Sequence, residues 1–318
     1  LFSWDFCTPD NLRIVARICG AYSRCMETKH ILWAVLVTAI WGVNFVVIRL
    51  GLDEFPPILL NALRFAATGL LFVWFVPRPN VSFKNIALIS LVLYVGQFSF
   101  LFIGMKAGMP AGLTSLVLQS QAIFTVLIAI SVLGERPNRS QIIGICIAFT
   151  GLAVIALDFG QSAALLAFLI VIVAAVCWSV GNILVKRSHA DHMLGLMVWA
   201  CLFAAPPLFL LSWMVEGSDQ IVTALSQFSL KGLAVIAYMT VFSTLVGYGL
   251  WTQLLKLYPA SLVAPFTLLV PAFGMTSAAL ILGETLSPLK GAGSLLIVLG
   301  LIVNTGLWRR FQTAFFTA

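Results

Sequence analysis

Ten largely apolar runs occupy most of this 318-residue chain: 31–50, 57–76, 86–105, 110–133, 141–157, 163–185, 193–215, 232–255, 259–282 and 291–308. A helix crosses the hydrocarbon core of a bilayer with about 20 such residues. Lipid offers the backbone no hydrogen bonds, so a spanning segment is a helix or part of a closed barrel. Barrel strands alternate in polarity over about ten residues, and these runs do not. Charged residues make up 9% of the chain against 61% hydrophobic, too few to build a water-facing surface. The expected fold is therefore all-α and integral to a membrane, with ten transmembrane helices.

Short connections join the runs and hold the turn formers and charges, as in Asp53-Glu54-Phe55-Pro56, Arg78-Pro79-Asn80 and Glu135-Arg136-Pro137-Asn138. With the N-terminus in the cytoplasm, thirteen Lys and Arg residues fall on the inner side and four on the outer, with Arg64 inside a run. The positive-inside rule then predicts both termini inside. The net charge of +7 is explained by this topology, and no nucleic-acid partner is expected. Residues 1–30 are read as a cytoplasmic extension and 309–318 as a cytoplasmic tail. Within the extension, residues 1–25 are expected to precede the native start, because METKH at 26–30 opens like a membrane protein.

The halves repeat. A shift of 149 residues aligns Pro110 with Pro259, Glu135 with Glu284, Gly144 with Gly293 and Gly151 with Gly300. WGVNFVVIR at 41–49 and WSVGNILVKR at 178–187 open the two halves. Five spans per half is an odd number, so the repeats, 31–157 and 163–308, are expected to lie inverted. Inverted repeats are characteristic of secondary transporters, which bind solute near the bilayer midplane between them.

Several stretches resemble the EamA family of the drug/metabolite transporter superfamily: WGVNFVVIRLG (41–51), PPILLNALRF (56–65), MPAGLTSLVLQSQAIFTVL (109–127), VGYGLW (246–251) and VAPFTLLVPAFG (263–274). The likeness covers about residues 30–308 and is nearest to amino-acid metabolite exporters, associated with cysteine and O-acetylserine efflux. It implies a bacterial inner-membrane protein that exports small solutes, with gradient-driven, proton-coupled export as one mode. It also implies a central cavity lined by the first four spans of each half, with the fifth spans at the periphery. Exporters of drugs, aromatic amino acids or nucleobases share the family pattern.

Polar side chains inside spans are costly unless they face protein or water, so they are the site candidates. Asn44 and Asn182 occupy related places in the first and sixth spans; they suit a zwitterionic ligand or, equally, a helix–helix hydrogen bond. Gln97, Gln119 and Gln121 lie in the third and fourth spans. Two residues apart, Gln119 and Gln121 do not share a helical face, so at most one is expected in the cavity. Tyr248 and Trp251 form one strip with Thr252, in the cavity or in an interfacial aromatic belt. Arg64 either meets a substrate carboxylate, snorkels to the interface, or pairs with carbonyls or with Asp53 or Glu54.

Pro207, beside Pro206, together with Pro265 and Pro271, is expected to mark hinges within spans. Glu135 and Glu284 recur at the ends of the fourth and ninth spans as gates or loop anchors. The histidines are placed in hydrophilic connections, and no metal-ligand spacing occurs. No phosphate-binding GxxxxGK[ST] motif is present, and no cofactor is expected. No span offers a His or an acidic pair for catalysis, so an intramembrane enzyme is disfavoured.

Overall fold

The computed structural model describes residues 26–133, 139–159, 163–258, 263–285 and 287–304. Helices dominate the described residues, and eight are long and apolar enough to cross a membrane. Two shorter apolar helices, Phe266–Leu282 and Pro288–Val303, accompany them. The rods are labelled α1 (Thr28–Gly51), α2 (Pro57–Phe72), α3 (Phe83–Lys106), α4 (Ala111–Val117, a 3₁₀ turn Leu118–Ser120, then Gln121–Leu133) and α5 (Arg139–Phe159). They continue with α6 (Ala163–Ser188), α7 (Met193–Glu216), α8 (Leu230–Leu257), α9 (a 3₁₀ turn Ala264–Leu268, then Leu269–Leu282) and α10 (Pro288–Asn304). A short helix, Ser218–Ser226, links α7 to α8.

Small residues let the rods approach closely. A Cβ on Gly42 of α1 would stand 2.5 Å from Phe273 Cβ and 2.8 Å from the Gly274 nitrogen of α9. Between α5 and α10, Gly151 and Gly293 face each other, and a Cβ on Gly300 would meet the Gly144 carbonyl at 2.7 Å. Among apolar lipids such close approach, rather than hydrophobic exclusion, holds helices together.

The strongest packing partners are α1 with α9, α4 with α6, α3 with α6, α1 with α8, α2 with α7, α4 with α9 and α5 with α10. Replacing each rod of the first half by the rod five later, and the reverse, returns the same set of pairs.

Two rods carry π-helical segments at corresponding places, Ser90–Gly96 in α3 and Tyr238–Val246 in α8. Related dipeptides stand at their C-terminal ends, Gly96-Gln97 and Gly247-Tyr248. The wider turn is visible in a side chain: Thr244 Oγ1 donates to the Met239 carbonyl, five residues back, at 2.8 Å. Such segments often re-aim side chains at functional sites.

One expectation needs correction. His30 lies not in a connection but in the first turn of α1, buried, with Nδ1 2.8 Å from the Tyr258 hydroxyl. The helix begins at Thr28, with Glu27 extended at the N-cap position and making no side-chain capping bond. Pro206 and Pro207 lie inside α7, which runs on at either side of them. Pro271 is the third residue of the α-helical segment that continues from the 3₁₀ turn Ala264–Leu268, and the Thr267 carbonyl four residues before it accepts from Gln119 Nε2. Pro265 falls in the 3₁₀ turn that precedes it. Glu135 and residues 1–25 lie outside the described residues.

Candidate functional site

A cavity of about 560 Å³ runs between the halves. Its wall comes from α1–α4, α6–α9 and the α6–α7 connection, and no lining residue belongs to α5 or α10. It reaches one end of the bundle, where Val185, Asp191, Met193 and Lys256 line it. Asp191 there accepts a hydrogen bond from the Asn80 backbone N–H at 2.9 Å, which holds its carboxyl below the usual aspartate range.

The opposite end is packed shut. Leu52, Phe55, Leu59, Leu60, Met105 and Met109 are buried there in one core. Polar ties lie over that core. Lys106 Nζ donates to the Leu52 carbonyl, Arg49 pairs with Asp53 at 2.6 Å, and Glu54 joins Ser229 at 2.5 Å and Lys231 at 3.4 Å. Two carboxylates close helix starts at the same end. Glu284 accepts from the Ala111 and Gly112 amides of α4 at 2.6 and 2.9 Å. Glu216 accepts from Ile58 and Leu59 of α2 at 2.6 and 3.0 Å. Each satisfies amides that a helix start leaves unpaired, with charge of the favourable sign. Glu284 thus anchors α4 in this conformation.

Arg64, one of the few charged residues in contact with the cavity, is 2% exposed. Its Nη2 reaches Ser243 Oγ at 3.4 Å and Thr244 Oγ1 at 3.3 Å, long contacts supplied by the π segment of α8. Its guanidinium carbon lies 4.6 Å from the Phe98 ring centre and 5.1 Å from that of Phe65. Nε and Nη1 have no partner. Asp53 and Glu54 are engaged elsewhere, and Arg64 neither snorkels nor pairs with an acid among the described residues. A desolvated cation without a counter-ion is destabilising by several kcal/mol.

An aromatic wall adjoins it. The Trp41 ring lies 5.0 Å from that of Tyr248 and 5.3 Å from that of Trp251. Trp41 Nε1 donates to the Ser243 carbonyl at 3.0 Å. A Cβ on Gly247 would stand 2.6 Å from Trp41 Nε1, so the residue just after the π segment makes room for the indole. Tyr248, Trp251 and Thr252 all line the cavity.

Asn44, Arg64, Gln97, Gln119, Gln121, Asn182, Tyr248 and Trp251, the candidates expected from sequence, all line this one cavity. Gln119 and Gln121 both do so, against expectation. The 3₁₀ turn Leu118–Ser120 narrows their angular separation from about 160° to about 120°. Gln119 Nε2 donates to the Thr267 carbonyl of α9 at 2.8 Å, while Gln121 Oε1 accepts from Asn182 Nδ2 at 3.0 Å. Asn182 therefore joins α6 to α4. Asn44 leaves its Oδ1 unpaired.

Sequence reasoning missed Tyr94, Phe98, Ser243 and Thr267. The signal for the first three was the pair VGQ and VGY, 95–97 and 246–248, which closes each π segment. Among the described residues no group of three or more His, Cys, Asp or Glu is arranged to hold a metal.

Membrane-length helices surround a mainly apolar cavity that carries a few polar side chains and opens at one end, as suits a membrane transporter. The EamA-like transporter family model matches residues 28–157 and again 165–306, and the chain belongs to this family. A Salmonella typhimurium protein named "Probable amino-acid metabolite efflux pump" is 40% identical over 295 residues, covering 91% of this chain and 99% of that one. An Escherichia coli protein of the same name is 39% identical over 293 residues, covering 90% and 98%. The Bacillus subtilis "Uncharacterized transporter YoaV" is 26% identical over 295 residues, covering 89% and 98%. A solved crystal structure superposes with a TM-score of 0.59 at 21% identity, covering 90% of this chain and 100% of the other, and so shares the fold.

Proposed function

We propose that this chain is a secondary exporter of small amino-acid-like metabolites, of the cysteine and O-acetylserine class, that works by alternating access in a bacterial inner membrane. The observation that carries the reading is Arg64: a buried guanidinium on the cavity wall with two nitrogens unpaired. A solute carboxylate supplies the missing anion through a charge-assisted fork. The names of the two relatives near 40% identity support the substrate class, and the Escherichia coli "Uncharacterized inner membrane transporter YedA", 23% identical, supports the location.

In this reading the ten rods are ten spans, arranged as inverted five-helix repeats 31–157 and 163–308 with both termini inside. The self-mapping packing pairs support the repeat. The Lys and Arg residues near the open end, Arg78, Lys84, Lys186, Arg187 and Lys256, support a cytoplasmic opening. Rocking of one half against the other closes that end and separates the core under Leu52 and Met109. The chain acts as a transporter and not as an enzyme.

Aromatic solutes are the second reading. Trp41, Phe98, Trp178, Tyr248 and Trp251 line the cavity and would stack on a flat ring. Uptake of radiolabelled solutes into inside-out vesicles, with and without a proton gradient, tests both readings. Uptake of cysteine and O-acetylserine is expected. Flat traces for both beside strong uptake of an aromatic solute would reverse the order. Acceleration by the gradient identifies proton antiport, and indifference to it identifies facilitated export.

A further inference from the structure

The unpaired polar atoms of the cavity wall divide by kind. Arg64 leaves Nε and Nη1 without partners, and Gln97 leaves Nε2. These are donors, on residues 2% and 1% exposed. Asn44, 7% exposed, leaves its carbonyl oxygen Oδ1, an acceptor. Buried polar groups in folded proteins are nearly always paired, so each of these, once a small side-chain movement opens it to the cavity, suits a ligand atom of the opposite character.

The two kinds also have different surroundings. Arg64 and Gln97 belong to the packed pair α2 and α3, beside the Phe98 ring. Asn44 lies three residues beyond Trp41 on α1, on the same face. The Trp41 ring meets those of Tyr248 and Trp251. Aromatic faces attract organic cations when water is excluded. Ser243 joins the two regions: its hydroxyl takes the Arg64 Nη2 contact and its carbonyl takes the Trp41 Nε1 hydrogen bond. The donors and the acceptor-plus-aromatic wall are thus bridged by one residue.

We infer that the cavity binds an α-amino acid as the zwitterion in a single orientation, carboxylate on Arg64 and Gln97, α-ammonium between Asn44 Oδ1 and the Trp41, Tyr248 and Trp251 rings. This rests on the substrate class proposed above and assigns its polarity within the site. The ligand side chain then points toward the mouth. Asp191, the acid that lines the cavity among the described residues, stands at that mouth and is engaged with Asn80. The ammonium is therefore held without a carboxylate, by the Asn44 oxygen and the ring faces alone.

The test uses purified full-length protein and three ligands: S-methyl-L-cysteine, its methyl ester, and 3-(methylthio)propanoate, which lacks the amine. Isothermal titration is expected to show the ester and the deamino acid each binding about tenfold or more weakly than the parent. In Arg64→Gln the preference for acid over ester disappears while the preference for the amine persists. In Asn44→Leu the reverse holds. Arg64→Lys, which keeps the charge but loses the fork, retains part of the acid preference and serves if the glutamine variant does not fold. Equal binding of all three ligands to the wild type would overturn the orientation and leave the amino-acid reading standing. Absence of binding by all three would overturn both.

Discussion

The Glu284 carboxylate grips the start of α4, accepting the Ala111 amide at 2.6 Å while its other oxygen takes Gly112. Pro110 precedes these residues as the N-cap, and its own side chain makes no capping bond, so the distant glutamate takes the place of a local cap. Glu284→Gln keeps one acceptor and removes the charge. It is expected to lower stability by about 1–2 kcal/mol, read as a lower unfolding temperature in detergent. An unchanged temperature would mean that the contact is incidental.

Two helical glycines with different surroundings, Gly42 in α1 and Gly249 in α8, give a second prediction. Gly42→Ala forces a Cβ against α9, where the nearest backbone nitrogen is 2.8 Å away. Gly249→Ala meets nothing within 4 Å. The first is expected to destabilise by about 1–3 kcal/mol and the second to be neutral or slightly stabilising. Thermal unfolding of both variants decides it.

Trp41→Phe retains an aromatic face and loses the Nε1–H that holds the Ser243 carbonyl. Ser243 then no longer has a fixed position beneath Arg64. Transport is expected to show a KM raised by about fivefold, the equivalent of one hydrogen bond, at unchanged expression. A wild-type KM would show that the indole N–H does not shape the site.

Glu54, in the α1–α2 connection, is held below its ordinary value of 4.5, chiefly by the Ser229 hydroxyl, with Lys231 assisting and Asp53 opposing. A carboxyl lowered in the folded state contributes stability above its ordinary value. That contribution is lost as pH falls through the lowered one. The difference in unfolding temperature between wild type and Glu54→Gln is therefore expected to be constant from about pH 8 to pH 5 and to shrink below about pH 4. A difference that already shrinks near neutrality would assign the effect to another group.

Much of the architecture was legible because lipid imposes a simple rule on sequence. Arg64 stood out as a charge inside an apolar run, and the amides of Asn44, Gln97 and Asn182 stood out in the same way. What was not legible is where the backbone leaves α geometry. Nothing in SLVLY or YMTVF announces a π segment by composition, yet those turns bring Tyr94 and Ser243 to the cavity wall. The 3₁₀ turn before Gln121 has no proline to mark it, and it defeated the facing argument for the glutamines. His30 was assigned to water because it follows charged residues, but Tyr258, more than two hundred residues away, buries it.

Alternating access is the claim on which the functional account depends, and cysteine labelling in oriented vesicles tests it most directly. In a background without native cysteines, Val185→Cys lies at the open mouth and Met109→Cys in the sealed core. A membrane-impermeant maleimide is expected to label position 185 from the cytoplasmic face without solute, and position 109 from neither face. Saturating amino-acid substrate should lower the first and bring labelling of position 109 from the periplasmic face. Labelling that ignores substrate at both positions, or access to position 185 from the periplasmic face alone, would contradict the account.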